Sequence, residues 1–231
     1  MNVLLILLLI FLPAPWLGRY IARVYRGERV WSDFLAPLER AIFRLAGIRA
    51  GEDWTWQRNM VALLMLNGTF LAWAFLFLVC QHLLPFWNPD GIGGMEWTQA
   101  LNTAISFMTN TNLQHYSGEL HLAYSSQLLV VAFLQFVSAA TGMAACALAW
   151  NAVRKDRAPG TGIGNFYHYF LRSATRVLLP LAVLWAVFLL FQGTPMTFNG
   201  AAQIVSLEGD SVRVARGPVA AEVAIKQLGT N

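Results

Sequence analysis

Residues 109–118 read Thr-Asn-Thr-Asn-Leu-Gln-His-Tyr-Ser-Gly, and they sit between two stretches apolar enough to cross a bilayer. A short amphipathic run, Glu96 to Met108, comes just before them. Polar backbone at membrane depth must find partners, so a non-helical stretch there survives only inside protein or along a watery path. A helix that dips in, stops and hands over to a loop rich in carbonyls, Thr hydroxyls and Asn amides suits a dehydrated monovalent cation. Those oxygens can replace the water the ion loses. The partial negative charge at the helix C-terminus helps if it points at the ion. A polar outer loop joining two spans fits the same composition equally well.

The rest of the composition agrees with a membrane setting. The 231 residues are 57% hydrophobic and only 12% charged, too apolar for a soluble domain of this size. Lys and Arg are unevenly spread: eight in 18–59, none in 84–124, five in 153–176 and three in 193–231. The two rich stretches are expected on the cytoplasmic side. The expected topology is N-terminus outside, Arg19–Arg58 inside, Pro85–Tyr124 outside, Arg154–Arg172 inside and Gly193–Asn231 outside. The basic residues are thus topology signals, and the pI of 9.4 does not argue for nucleic-acid binding. Cys80 and Cys146 both fall in apolar runs with no CxxC pattern, which reads as packing and not as a disulfide or a zinc site.

Asn2 to Leu17 is the first apolar run. It lacks a basic leader, and Arg19, Arg23, Arg26 and Arg29 all follow it, so it reads as a retained span and not a signal peptide. The helix can continue through Ile21, with Pro13 and Pro15 kinking or capping it. Ser32 is expected to cap an amphipathic helix at the inner interface, with Phe34, Leu35, Leu38, Ile42, Phe43 and Leu45 on one side and Glu39, Arg40 and Arg44 opposite. Packing of that helix on a partner's cytoplasmic surface is an equal reading. Gly47 ends it.

Met60 to Leu84 is a clear span, and Asn67-Gly68-Thr69 within it suggests interhelical hydrogen bonds. Pro85 to Gly94 is a turn-rich loop, with Trp87 and Trp97 where interfacial aromatics belong. A third span runs from Tyr124 to Val153, with small residues at Ser138 to Ala145 that permit close backbone approach. Gly160-Thr161-Gly162-Ile163-Gly164 follows no strand and lacks the Gly-Lys-Ser/Thr ending of a nucleotide loop. The fourth span covers Val177 to Leu190, with room to start near Phe166 and a kink at Pro180.

From Gly193 the composition changes. Ala202 to Ala215 reads as a hairpin turning at Glu208-Gly209-Asp210, and Val219 to Leu228 as a short helix. Ala104-Ile105 precedes Thr109-Asn110, and Ala224-Ile225 precedes Thr230-Asn231, so the order span, short helix, Thr-Asn occurs twice. The expected fold is therefore an all-α membrane protein: four transmembrane helices, a re-entrant pore helix with its filter loop, and an incomplete second pore repeat. Its expected units are 1–59 (first span and interfacial helix), 60–153 (a complete span–pore–span repeat) and 154–231 (fourth span, outer hairpin and second short helix).

Ser106 to Glu119 resembles the first selectivity-filter segment of the KdpA family, the potassium-binding subunits of bacterial Kdp P-type ATPases. Glu39-Arg40 to Gly47, Gln81-His82, Ser138-Ala139-Ala140, Gly217 to Ala220 and Lys226 to Asn231 extend the resemblance along the chain. It implies a ten-span family fold with four pore repeats around one filter, of which this chain supplies four spans and one complete filter segment. It also implies a non-catalytic subunit that selects potassium as substrate outside and passes it to a partner P-type pump subunit, B, which hydrolyses ATP. Small C and F subunits complete the complex in the bacterial inner membrane.

On that basis Thr109, Asn110, Thr111 and Asn112 are expected to form the filter, with carbonyls and Thr hydroxyls toward the ion and the Asn amides bracing from behind. Gln114 lines the outer mouth, and Gly118 is expected to make a turn closed to any β-carbon. Thr230 and Asn231 begin an incomplete second filter. His115, Glu119 and His121 are less suited to a metal cluster, as outer-mouth residues are normally hydrated. Asp90, Glu96 and Glu119 are expected to attract cations. The competing function is a non-transporting fragment or paralogue that acts only as a membrane interaction protein. A passive channel of the related Trk/Ktr type fits less well, because the extended match is to KdpA. One filter segment cannot surround an ion, so these residues alone are expected to form no selective pore.

Overall fold

The computed structural model describes residues 2–49, 51–154 and 162–228. Four helices in it are long and apolar enough to cross a membrane: Val3–Arg26, Trp56–Leu83, Tyr124–Val153 and Phe166–Phe191. The chain is an all-α membrane protein with one small hairpin.

The first span is two helices, α1 (Asn2–Phe11) and α2 (Ala14–Arg26), parted at Leu12-Pro13. It runs further than Ile21, to Arg26, and Arg23 and Arg26 pair with Glu28 just beyond its end. Tyr25 also docks, its hydroxyl 2.7 Å from Ser173 Oγ. Gly27, at φ 76°, closes it in the left-handed form that favours glycine.

A short 3₁₀ turn (Trp31–Leu35) leads into α3 (Ala36–Leu45). Two expectations fail here. Ser32 does not cap the helix; it is fully buried, with its hydroxyl 2.8 Å from that of Tyr20. Glu39 does not join a solvated face. It is buried and ion-paired with Arg176, while Phe34, Leu38, Ile42 and Leu45 are exposed. The helix thus presents its apolar side outward and keeps its carboxylate in.

The second span is α4 (Trp56–Cys80), extended by a turn at Gln81–Leu83. Thr69 donates to Met65 O of its own helix at 2.8 Å, so it makes a local back-bond and not the interhelical one expected. Helix α5 (Trp97–Met108) follows, then the single turn α6 (Gly118–His121). The third span is α7 (Tyr124–Ser126), a π-helical turn (Gln127–Ala132) and α8 (Phe133–Val153). The fourth is α9 (Phe166–Arg172), a π-helical turn (Ser173–Leu178) and α10 (Leu179–Phe191). Pro180 falls in the first turn of α10, where its missing N–H frees a carbonyl of the preceding turn. The irregularity expected of Pro180 is therefore a π turn just before it.

Strands β1 (Ala202–Val205) and β2 (Ser211–Val214) pair antiparallel, with Ala202 opposite Val214. Helix α11 (Val219–Lys226) then packs on α10 and on the third span. Helix α5 packs in the same way on α4 and α8. Each short helix returns against the span before it, so the repeat read from the Thr-Asn endings extends to the packing. Around α5 the core is Ala74, Leu78, Ala100, Ala104, Phe107, Val130 and Leu134. Small residues at 100 and 104 let the backbones close in, which is how helices associate where lipid removes the hydrophobic drive.

The arginine-bearing connections gather at one end. Trp54 N–H donates to Gly164 O and Ile163 N–H to Trp54 O, both at 2.9 Å. A β-carbon on Gly162 would sit 2.7 Å from Asp53 C, so only glycine fits that crossing. Asn151 Nδ2 reaches Ile163 O at 3.1 Å. The opposite end holds the 85–96 and 109–123 connections and the hairpin; Arg213 of the hairpin reaches Asp90 at 2.7 Å, and Trp87 stacks on Phe198, ahead of the hairpin, at 4.7 Å. This split places the two Lys/Arg-rich connections together, as the charge count requires.

Candidate functional site: the loop after helix α5

Helix α5 starts where Glu96 turns its carboxylate onto the backbone N–H groups of Thr98 (2.8 Å) and Gln99 (3.0 Å). The Thr98 hydroxyl and these two amides hold the carboxyl below its usual range. Glu96 is thus occupied as an N-cap, and Asp90 is ion-paired with Arg213 and accepts from Ala201 N–H. Of the three acids expected to attract cations, two serve the scaffold; Glu119 stays exposed.

At its other end α5 is closed by the loop itself. Thr109 N–H donates to Ile105 O (2.9 Å), Asn110 N–H to Phe107 O (3.3 Å), and both Thr111 and Asn112 N–H to Ser106 O (2.9 and 3.1 Å). Ser106 also donates its hydroxyl to Leu113 O at 3.0 Å. The last carbonyls of the helix are therefore taken by the loop's own amides.

That folding-back needs an unusual backbone. Asn110 (φ 59°) and Asn112 (φ 53°) are left-handed, whereas Thr109 (φ −84°) between helix and loop is not. Among residues with a β-carbon, Asn tolerates this region best. The Thr-Asn-Thr-Asn alternation is thus also an alternation of backbone hand, a signal present in the sequence that the reading of Asn as a brace did not use. The bracing is there too: Asn110 Oδ1 accepts from Asn112 Nδ2 and from Ser138 Oγ, both at 3.3 Å.

Thr109 and Thr111 are exposed, Asn110 and Asn112 half-buried. The two Thr hydroxyls lie 2.9 Å apart, and Thr109 donates to Ile105 O at 2.9 Å. A hydroxyl has one proton. With Thr109's given to Ile105, Thr111 is left to donate to Thr109, and Thr111 itself is exposed.

Gln114 is exposed. A β-carbon on Gly118 would sit 3.4 Å from Gln114 Nε2 and 3.9 Å from Leu122 Cδ1, ordinary contacts in an ordinary conformation. Gly118 is therefore not a turn closed to other residues; it opens the helical turn α6. Thr230, Asn231, Gly160 and Thr161 lie outside the described residues.

A sequence model described as "KdpA: Potassium-transporting ATPase A subunit" matches residues 3–231. The chain belongs to the KdpA family. A "potassium-transporting ATPase potassium-binding subunit" of Bacteroides fragilis is 51% identical over 227 residues, 98% of this chain and 39% of the relative. One from Bacteroides thetaiotaomicron is 50% identical over 226 residues, 97% of this chain and 39% of the relative. One from Pseudomonas entomophila is 42% identical over 224 residues, again 39% of its length. The chain thus spans about two-fifths of the curated relatives it matches.

Within this KdpA-family chain the second short helix carries a group that sequence reading passed over. Glu222 on α11 has a buried Oε1 with no hydrogen-bond partner among the described residues. Burial pushes its carboxyl up to about 7. Between pH 4.5 and 7 the folded chain holds a proton the unfolded chain has released, so stability falls as pH rises through that window. At roughly 1.4 kcal/mol per unit the loss is about 3 kcal/mol. Glu222→Gln is expected to raise the thermal midpoint of the purified chain at pH 8 and leave it unchanged near pH 4. Parallel pH profiles for the two proteins would contradict this assignment.

Proposed function

We propose that this chain is the potassium-selecting, potassium-translocating part of an ATP-driven importer. Its four spans hold α5 as a re-entrant pore helix, and residues 109–112 form one quarter of an extracytoplasmic filter, with Gln114 at the mouth. Thr230 and Asn231 start a second quarter. Potassium enters as substrate and passes to a P-type pump subunit, B, with small C and F subunits in the same bacterial inner-membrane complex. The observation that carries this reading is the loop's geometry in a KdpA-family chain. Its amides turn back to the helix, and its Thr oxygens stay exposed. A dehydrated cation needs such oxygen ligands.

The test is growth at limiting potassium, in cells lacking other uptake systems, of a completed subunit carrying these residues together with its pump partners. Gln114→Arg is expected to raise the external potassium needed for half-maximal growth at least about tenfold, because a fixed cation at a narrow mouth repels the incoming one with little screening. An unchanged requirement would remove this loop from the ion's path.

A further inference from the structure

One side chain ties together both ends of the excursion that carries the loop. Gln81, at the end of the second span, is 0% exposed. Its Nε2 donates to Gly93 O and to His121 O, both at 2.8 Å. Its Oε1 accepts from Ala123 N–H at 3.1 Å and from Ser126 Oγ at 2.6 Å. A carboxamide offers two donors and two acceptor sites, and here all four are used. Gly93 lies three residues before the N-cap of α5, His121 and Ala123 follow the filter loop, and Ser126 lies in the first turn of the third span. The chain that enters α5 and the chain that leaves the loop are thus held at a separation set by one amide group.

The entry is clamped from a second direction. Met95 N–H donates to Leu78 O at 3.1 Å. A β-carbon on Gly94 would lie 2.4 Å from Val79 O, so only glycine allows the approach. The α5–loop unit therefore hangs from the end of the second span through Leu78, Val79 and Gln81. Any slackening there displaces the Thr oxygens, which lie on the same continuous segment.

We propose that Gln81 is a positioning residue for potassium selection: it touches no ion, and it fixes the spacing on which the discrimination of residues 109–112 depends. This rests on the filter reading given above. Buried groups that orient ligands without touching the ion carry about ten- to a hundredfold of metal affinity in other sites.

Asn59 supplies a matched comparison. It is an equally buried amide at the opposite end, donating to Trp54 O (3.2 Å), Thr55 O (3.0 Å) and Gly164 O (3.0 Å) and accepting from Phe166 N–H (2.7 Å). The experiment uses the assembled transport complex with a completed subunit and reads potassium against rubidium. Gln81→Met is expected to raise the apparent KM for potassium and erode the potassium-to-rubidium preference, each about tenfold. Maximal turnover per assembled complex should stay within about twofold. Asn59→Leu is expected to lower the yield of complex and leave the preference intact.

If Gln81→Met does not assemble, Gln81→Glu decides. It keeps the shape and replaces the donor with a carboxylate facing two carbonyls, so its preference should be poor at pH 8 and recover on acidification, when an O–H returns. A preference unchanged in the assembling Gln81 variant, or lost equally in Asn59→Leu, overturns the proposal. Absence of potassium-selective uptake in the unmutated complex would instead sink the filter reading itself.

Discussion

Arg176→Met is expected to destabilise the chain by about 3–5 kcal/mol, the cost of stranding a buried charge. Arg176 is 5% exposed and Glu39 3%. The guanidinium is bidentate: Nε to Glu39 Oε1 and Nη2 to Glu39 Oε2, both at 2.6 Å. Its third nitrogen reaches Asp33. Thr175 adds a hydroxyl to Glu39 Oε1 at 2.6 Å, and Tyr20 donates to the Arg176 carbonyl at 2.6 Å. Removing the arginine leaves Glu39 with one neutral donor. The double variant Arg176→Met with Glu39→Met is expected to regain most of the loss, because an apolar pair of similar volume carries no desolvation penalty. Thermal unfolding in detergent of both single variants and the double measures this. A single-variant loss under about 1 kcal/mol, against the cited range, would show that the pair is hydrated.

Thr111→Val should have the largest effect on transport. It keeps the side chain's shape, so the fold around Ser106 is retained. It removes the hydroxyl that lies 2.9 Å from that of Thr109, on a residue that is exposed. Hydrogen bonds to charged groups are worth about 1.5–3 kcal/mol, so under the proposed filter role the loss of one oxygen ligand at that level weakens potassium affinity roughly ten- to a hundredfold. Thr111→Ser restores the oxygen and should restore affinity. Uptake by a completed subunit with its partners, read for potassium and rubidium, checks both. Equal affinities for Val and wild type would mean that the hydroxyl serves only the loop.

Much of this architecture is legible from local chemistry. Arg154 and Tyr124 bracket the third span at the bounds the hydropathy requires, and Glu96 marks the start of α5 before an amphipathic run. What is not legible depends on distant partners. Helical spacing puts Glu39 with Arg40 and Arg44 on a polar face, and nothing nearby says that its counter-charge lies 137 residues away. Ser32 has the chemistry of a cap, but Tyr20 competes for it across a turn. Gln81 ends an apolar run as any interfacial amide would; its four partners come from segments 12 to 45 residues further on. Gly118 reads as a strained turn only because glycine so often is one. The two left-handed asparagines were accessible in principle, since Asn at alternate positions after a helix end is a backbone signal as well as a hydrogen-bonding one.

The π-helical turns at Gln127–Ala132 and Ser173–Leu178 have a consequence for how these spans can be altered. A π turn carries one residue more than an α turn needs. Each of the two spans is therefore a pair of α-helices out of phase by one position, with about 100° of rotation held in the seam. Above the seam in the third span, Tyr124 donates to the Asn199 carbonyl ahead of the hairpin and Ser126 to Gln81; below it, Ser138 answers to the loop at Asn110. Deleting a single residue between 127 and 132 would turn one of these faces away while leaving length and hydropathy almost untouched. In the fourth span the seam itself carries Arg176, so a deletion there would disturb its pairing with Glu39. Length-neutral thinking thus fails here: the membrane would accept the shortened helix, and the bundle would not.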